Sequence, residues 1–372
     1  MTSKQRMRIA MAGGQPDQVP VAPDTSNMIP CRLTGKPFWD IYLYQDPPLW
    51  QAYIECAKHF GFDGWLAGAP LEFEEDRNTD WQEAIVKRTP ERIITRHHRK
   101  VDGREEWTGH CTVYYIADPP TWGVPLHKVG LPDAPPKEWE DVFPRNTWRP
   151  LEAYHQACAL MGEDGVVGPA VGLPGLGLQP EAMYEWFDHR DQVIARCEAQ
   201  HEWIVARTRK ILALKPDFLL IGISGHMLSN PEPIFRQLSL PTLQAVTRLC
   251  KEAGVPSQIH CCGPEYALVK MSVEESDLSS INPLEIPPMG DCDLAQIRRE
   301  FGHRISLMGN LHTTEVMLRG TPEVVARASR KAIDDAAEGG GFILSTGDQC
   351  GRDTPDANIR AMVETARTYG KY

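Results

Sequence analysis

His260 and Cys262 stand two residues apart at the end of a β-rich run, Gln258-Ile259-His260-Cys261-Cys262-Gly263, just before a Gly-Pro turn. Side chains alternate across an extended chain, so residues i and i+2 share a face. An imidazole and a thiol placed this way make a two-point grip for a soft divalent cation. Two further donors end apolar runs downstream. Glu285 lies in Asn282-Pro283-Leu284-Glu285, and Cys350 lies in Ser345-Thr346-Gly347-Asp348-Gln349-Cys350-Gly351. His260, Cys262, Glu285 and Cys350 are read together as one zinc site, an N, S, O, S set that suits tetrahedral Zn²⁺. The competing reading makes His260 a hydrogen-bonded buried histidine and Cys262 a core thiol, because short motifs recur by chance.

Zinc held by two thiolates and a carboxylate is electron-rich and a poor generator of hydroxide. Such a site binds and tunes an incoming ligand instead. A substrate thiol would lose its proton there at neutral pH. An ether oxygen would be polarised, exposing its methyl group to an outside nucleophile. Glu285 is the weakest donor and the one expected to give way. Both routes describe methyl transfer.

These residues need a frame that gathers strand ends. Residues 1–17 read as a short charged helix broken at Gly13-Gly14, and Val19 to Pro23 as an extended run. Apolar spacing predicts a helix over 48–60 and a buried strand over 62–68. Residues 75–147 break the rhythm: alternating runs at 92–96 and 112–116 flank Asp102-Gly103, a hairpin signal. From 148 onward helices and strands alternate. Helices are expected near 149–162, 191–214, 232–253, 293–301, 321–338 and 355–369. Strands are expected at 165–168, 217–223, 257–260, 280–282, 304–310 and 341–345. The count from Val19 favours a (β/α)8 TIM barrel, a single domain over 1–372 with a β-hairpin insertion at about 75–147.

In such a barrel, chemistry gathers at the C-terminal rim of the strands. His226, Asn310 and His312 end strands there and are candidates to touch substrate or orient a ligand; for the histidines, a hydrogen-bonded structural role competes. The Gly-rich run at 172–177 lacks a following Lys-Ser/Thr and contains Pro174, so it reads as a rim loop and not a phosphate cradle. The aromatic residues Trp107, Tyr114, Tyr115, Trp122, Trp139 and Trp148 would suit the wall of a pocket for an aromatic or apolar methyl compound, or would pack the hairpins.

The 372 residues are 42% apolar and 24% charged, ordinary for a globular chain. A net charge of −11 argues against nucleic acid as a partner. No run approaches the roughly 20 apolar residues needed to span a bilayer, and the start does not read as a signal peptide. The expected setting is the cytoplasm. Ten scattered cysteines do not form a disulfide framework in such a chain.

The ordered motifs resemble the uroporphyrinogen decarboxylase superfamily, and within it the zinc-dependent, corrinoid-linked methyltransferases. They run from Pro16-Asp17-Gln18-Val19-Pro20 through Ser229-Asn230-Pro231, His260-Cys261-Cys262-Gly263 and Asn282-Pro283-Leu284-Glu285 to Gly309-Asn310-Leu311-His312-Thr313 and Gly339-Gly340-Gly341-Phe342. The resemblance implies a corrinoid (cobalamin) presented by a partner protein and a small-molecule methyl donor or acceptor. O-demethylation of a methyl ether is the expected reaction. Transfer from a methylcorrinoid to a thiol or to tetrahydrofolate is the alternative, and tetrapyrrole decarboxylation the more remote one. The decarboxylases carry an Arg-Gln-Ala-Gly-Arg segment near the N-terminus. Met28-Ile29-Pro30-Cys31-Arg32-Leu33 stands here instead and speaks against that chemistry. In the thiol-methylating relatives the last cysteine directly follows the Ser-x-Gly turn. Asp348 holds that place here, so Cys350 or Asp348 completes the zinc site. Glu285 and Asp348 are the expected catalytic residues, and Asp348 as ligand would favour ether oxygen over thiolate.

Overall fold

The structure, a computed structural model, describes residues 1–77 and 80–372. The chain divides into two compact units. One holds Met1–Asp24, Ala57–Ala69 and Met161–Tyr372; the other holds Thr25–Cys56 and Pro70–Leu160.

In the first unit, buried parallel strands alternate with helices, a TIM-barrel-type α/β arrangement. Gly64–Ala67 pairs with Gly165–Gly168. A six-stranded sheet runs in the order Phe342–Gly347, Ser306–His312, Ser280–Asn282, Ser257–His260, Leu219–Gly222, Ala170–Val171. The hydrogen-bonded ladder is not continuous around a ring: the pair and the six-stranded sheet are separate. The cause is proline. Pro169 interrupts the run from Gly165 to Val171 and has no N–H to give. Pro20 and Pro23 likewise reduce the N-terminal extended run to a single parallel bridge, Val21 to Leu344. Val21 also exchanges hydrogen bonds with Asp63: its N–H donates to the carboxylate at 2.9 Å and its carbonyl accepts the Asp63 N–H at 2.8 Å.

The interior is a layered apolar core. Trp65, Val166, Phe218, Leu220, Met308 and Ile343 pack together with Met7 and Met11 from the helix Ser3–Met11. The Trp65 indole N–H is satisfied inside this layer by Gln258 Oε1 at 2.7 Å. Helices present one buried stripe each. In Pro322–Ala336, a proline start leads to Val325, Ser329, Ala332, Ile333 and Ala336 on the inner face. In Leu294–Phe301 the Asp293 side chain caps the Gln296 N–H at 2.7 Å. The single helix expected over 232–253 is two, Glu232–Leu238 and Leu240–Ala253. Pro241 cannot continue a helix but can start one, and the Ser239 hydroxyl between them donates to the Pro174 carbonyl at 2.6 Å.

In the second unit an antiparallel sheet runs in the order Thr121–Pro125, His110–Tyr115, Arg92–Val101, Gln82–Arg88, Glu140–Asp141. Arg104–Trp107 pairs with Arg92–Val101 around Asp102-Gly103, whose φ values of 49° and 78° are those of a two-residue hairpin turn. Alternation sorts the strands onto two cores. Ile93 and Tyr114 join Leu43, Ile85 and Val142 on one face, and Ile94 and Val113 join Cys111 and Leu126 on the other. This unit also takes the short helices Met28–Leu33 and Phe38–Tyr42, which the sequence pattern did not reveal.

Candidate metal centre

Ser257–His260 is buried along its whole length and ends with His260 beside Asn282 in parallel register. The Asn282 amide lies 3.1 Å from His260 Nδ1. Its Nδ2 faces the ring while its Oδ1 is buried without a partner among the described residues. A half-turn of that amide lets Oδ1 accept from Nδ1–H and leaves the Nε2 lone pair for a cation, the arrangement metal-ligating histidines use.

His260, Cys262 and Asp348 each offer a ligand atom, and these atoms lie within 4.8 Å of one another. Asp348 arrives by a turn. The strand Phe342–Gly347 runs into Asp348 at φ 86°, a left-handed conformation rare outside glycine. The Thr346 hydroxyl donates to the Asp348 carbonyl at 2.8 Å, and the Asp348 carboxylate comes to 3.9 Å from His260 Nε2.

Glu285, expected as a ligand, is not among the three converging residues, but its charge acts on Cys262 and it feels the charge of Asp348. Its Oε2 accepts the Gly263 N–H at 2.5 Å. Burial raises its pKa, as does the Asp348 charge, against the pull of that N–H. Burial likewise pushes the Cys262 thiol up, with the charges of Asp348 and Glu285 adding to it, while hydrogen bonds from Ser224 and Gly225 pull the other way. Acidic groups that raise one another's proton affinity in a half-buried pocket are a poor arrangement alone and a good one around a divalent cation. The donor set (imidazole, thiolate, carboxylate) fits zinc.

Other sequence candidates fall elsewhere. Cys350 is not in the converging group. It is fully buried, its N–H donates to the Asp24 carbonyl at 2.9 Å, and burial pushes its thiol up to about 12. His226 is buried with Nε2 at 2.8 Å from the Ser239 hydroxyl, and burial pushes its pKa down to about 4. That ring is a neutral structural donor. Asn310 donates to the Leu284 carbonyl at 2.9 Å, which ties two rim loops together. His312 Nδ1 caps the next turn by accepting the N–H groups of Thr314 and Glu315. It also borders a cavity of about 480 Å³ with Asn310 and Cys292. In the second unit Trp107 stacks on His98 and meets Trp139 edge-on, and the Tyr114 hydroxyl donates to Glu83 at 2.9 Å; these rings pack their own sheet. Trp122 is 64% exposed. Nothing in the residue pattern marks Glu265, a wholly buried carboxyl that accepts the Leu284 N–H.

Residues 216–369 match the family model "Uroporphyrinogen decarboxylase (URO-D)". Over 135 residues the chain is 29% identical to the methylcobamide:CoM methyltransferase MtbA of Methanosarcina acetivorans, covering 36% of this chain and 37% of that one. Over 175 residues it is 26% identical to the methylated-thiol–coenzyme M methyltransferase of Methanosarcina mazei, covering 46% and 45%. The chain thus spans less than half the length of these curated relatives. Among solved structures, a methyltransferase from Methanosarcina mazei superposes over 99% of both chains with TM-score 0.62 at 16% identity, a likeness of fold. No helix among the described residues is long and apolar enough to cross a membrane.

Proposed function

We infer, from the match of residues 216–369 to the uroporphyrinogen decarboxylase family model, that this chain is a zinc-dependent methyltransferase. It moves a methyl group between a small molecule and a corrinoid carried by a partner protein. The observation that carries the inference is the convergence of His260, Cys262 and Asp348. The similarity to a methylcobamide:CoM methyltransferase and to a methylated-thiol–coenzyme M methyltransferase supports the reaction class.

His260, Cys262 and Asp348 would hold the zinc, with Glu285 as the weakest donor and the one that gives way. When bound there, the metal supplies Lewis acidity to the oxygen or sulfur that carries the methyl group. The residues do the rest. Asn282 fixes the His260 ring, and Ser224 and Gly225 stabilise the Cys262 thiolate. Glu285, anchored by the Gly263 N–H, is placed to take the proton of an incoming thiol or to yield its place to an ether oxygen.

A carboxylate in the group where a second thiolate was expected makes the donor set harder, which favours a methyl ether as substrate. The thiol-methylating names of the relatives favour the second reading, transfer to or from a thiol. The fold is proposed as a closed (β/α)8 barrel, counting 165–171 as one strand and Val21 as the eighth member, with the antiparallel sheet as an insertion in a single catalytic domain. Its ten free cysteines suit a reducing, cytoplasmic setting.

The test is methyl transfer to cob(I)alamin from methoxyarenes on one side and methylated thiols on the other, followed by the absorbance of methylcobalamin. Zinc-loaded protein is expected to react with one series, and chelated protein with neither. Transfer that survives full removal of zinc would overturn the mechanism.

A further inference from the structure

Two rim loops meet at the candidate metal centre, one carrying Cys262 and the other carrying Glu285. They are laced in both directions. The Cys262 loop gives the Gly263 N–H to the Glu285 carboxylate at 2.5 Å. The Glu285 loop returns the N–H groups of Leu284 and Glu285 to the carboxylate of Glu265. Asp291, just beyond, accepts the Glu265 and Tyr266 N–H groups at 2.8 and 3.0 Å. Each loop therefore places a carboxylate on the other's backbone.

Glu265 is the costly member of this clasp. It is 0% exposed, and its Oε1 has no hydrogen-bond partner among the described residues. Burying a carboxyl with half its bonding capacity unused is unfavourable unless the other half does something the fold needs. What it holds is itself strained. Leu284 has φ 60°, a left-handed conformation that a leucine adopts only under constraint. This turn lies between the strand Ser280–Asn282 and Glu285, whose carboxylate takes the Gly263 N–H next to Cys262.

We propose that Glu265 is a positioning residue for the metal centre: its buried carboxyl pins the left-handed turn at Leu284 and so fixes Glu285 against the Cys262–Asp348 group. The proposal rests on the reading of that group as a metal site. The Leu284 N–H needs only an acceptor oxygen at that reach. A glutamine of the same length keeps one and should serve nearly as well, and a shorter or apolar side chain should not.

The experiment is a cobalt(II) titration of the purified full chain, read by the thiolate-to-cobalt absorption band, with zinc competition for affinity. Circular dichroism reports the fold of each variant. Partners that orient metal ligands carry about 10–100-fold in metal affinity. Glu265→Leu is therefore expected to weaken cobalt binding by at least about tenfold. Glu265→Asp, which withdraws the acceptor by one methylene, should weaken it by about the same order, and Glu265→Gln should stay within about threefold of wild type. If Glu265→Leu does not fold, the Asp and Gln pair decides. Wild-type affinity in both Glu265→Asp and Glu265→Gln, or an equal loss in both, overturns the positioning role. The Cys262→Ser control separates the two claims. If the thiolate band is absent in wild type, or unchanged in Cys262→Ser, the metal site fails. If the band behaves as expected and only the Glu265 variants do not, the positioning role alone fails.

Discussion

Asp348 and Cys350 are two residues apart, yet one faces the metal group and the other is sealed in the core. The difference is one backbone torsion, φ 86° at Asp348, which turns its carboxylate toward His260 and carries Cys350 inward under Thr346 and Thr354. Asp348→Asn is accordingly expected to lower zinc affinity about 10–100-fold, near 1.4–2.8 kcal/mol, while Cys350→Ser stays within about threefold. Competition with a chromophoric chelator measures both, and the reverse ranking would return Cys350 to the ligand set. His260 and Cys262 were legible in the sequence because period-2 alternation at a strand end is a local rule. The choice between Asp348 and Cys350 was not, because no residue pattern encodes a left-handed aspartate. Glu265 was invisible for a related reason: after Gly263-Pro264, at the head of a helix, a glutamate reads as solvated, and only the packing of a second loop over it makes it buried.

Elements were more legible than side chains wherever one face of the chain meets a core. The expected helices at 191–214, 321–338 and 355–369 correspond to Arg190–Ala213, Pro322–Ala336 and Asp356–Tyr369. The division at Ser239 was missed because apolar spacing continues through it. Close packing between elements leaves one sharp expectation. Gly64 and Gly165 are register partners, and a Cβ on Gly165 would lie 2.2 Å from the Gly64 carbonyl oxygen. Backbone cannot move aside as a side chain can. Gly165→Ala should therefore cost on the order of 1–3 kcal/mol in urea unfolding, and a cost under about 0.5 kcal/mol would contradict the geometry.

The sheet of the second unit supplies a pH test. His98 lies between Glu105 and Asp141, at 2.9 Å from each, and stacks on Trp107. Burial lowers its proton affinity, but the two carboxylates outweigh burial and its pKa is raised. A raised folded value means the imidazolium stabilises the fold fully below the unfolded pKa of about 6.5, and that this contribution fades as pH rises through the folded value. His98→Gln should then cost more stability at pH 6 than at pH 9, with Trp fluorescence as the probe. An equal cost at both would mean that the carboxylates do not hold a proton on the ring.

At the scale of the molecule, the proposed ring depends on the N-terminal run, where prolines leave so little ladder. Val21 bridges Leu344 on one side and exchanges two hydrogen bonds with Asp63 on the other. Asp63 is 4% exposed, and its other oxygen takes the Arg6 guanidinium at 2.8 Å. Arg6 reaches back to Asp17 as well, at 2.8 Å, so the helix Ser3–Met11 clamps the segment that follows it. The two ion pairs are not equivalent, because the Asp17 side chain is 38% exposed and that of Asp63 only 5%. Water screens the first pair, and removing it by Asp17→Asn should cost about 1 kcal/mol or less. Arg6→Met leaves Asp63 buried without its counter-charge, and removing one partner of a buried pair costs about 3–5 kcal/mol. The expected result in urea denaturation is a loss near 3 kcal/mol for Arg6→Met, the lower end because the Val21 N–H still serves the carboxylate. Zinc affinity should fall with it if Val21 holds the strand Phe342–Gly347, and hence Asp348, in register. A destabilised Arg6→Met protein that binds zinc as tightly as wild type would separate the N-terminal clamp from the metal centre and leave the ring closed by other means.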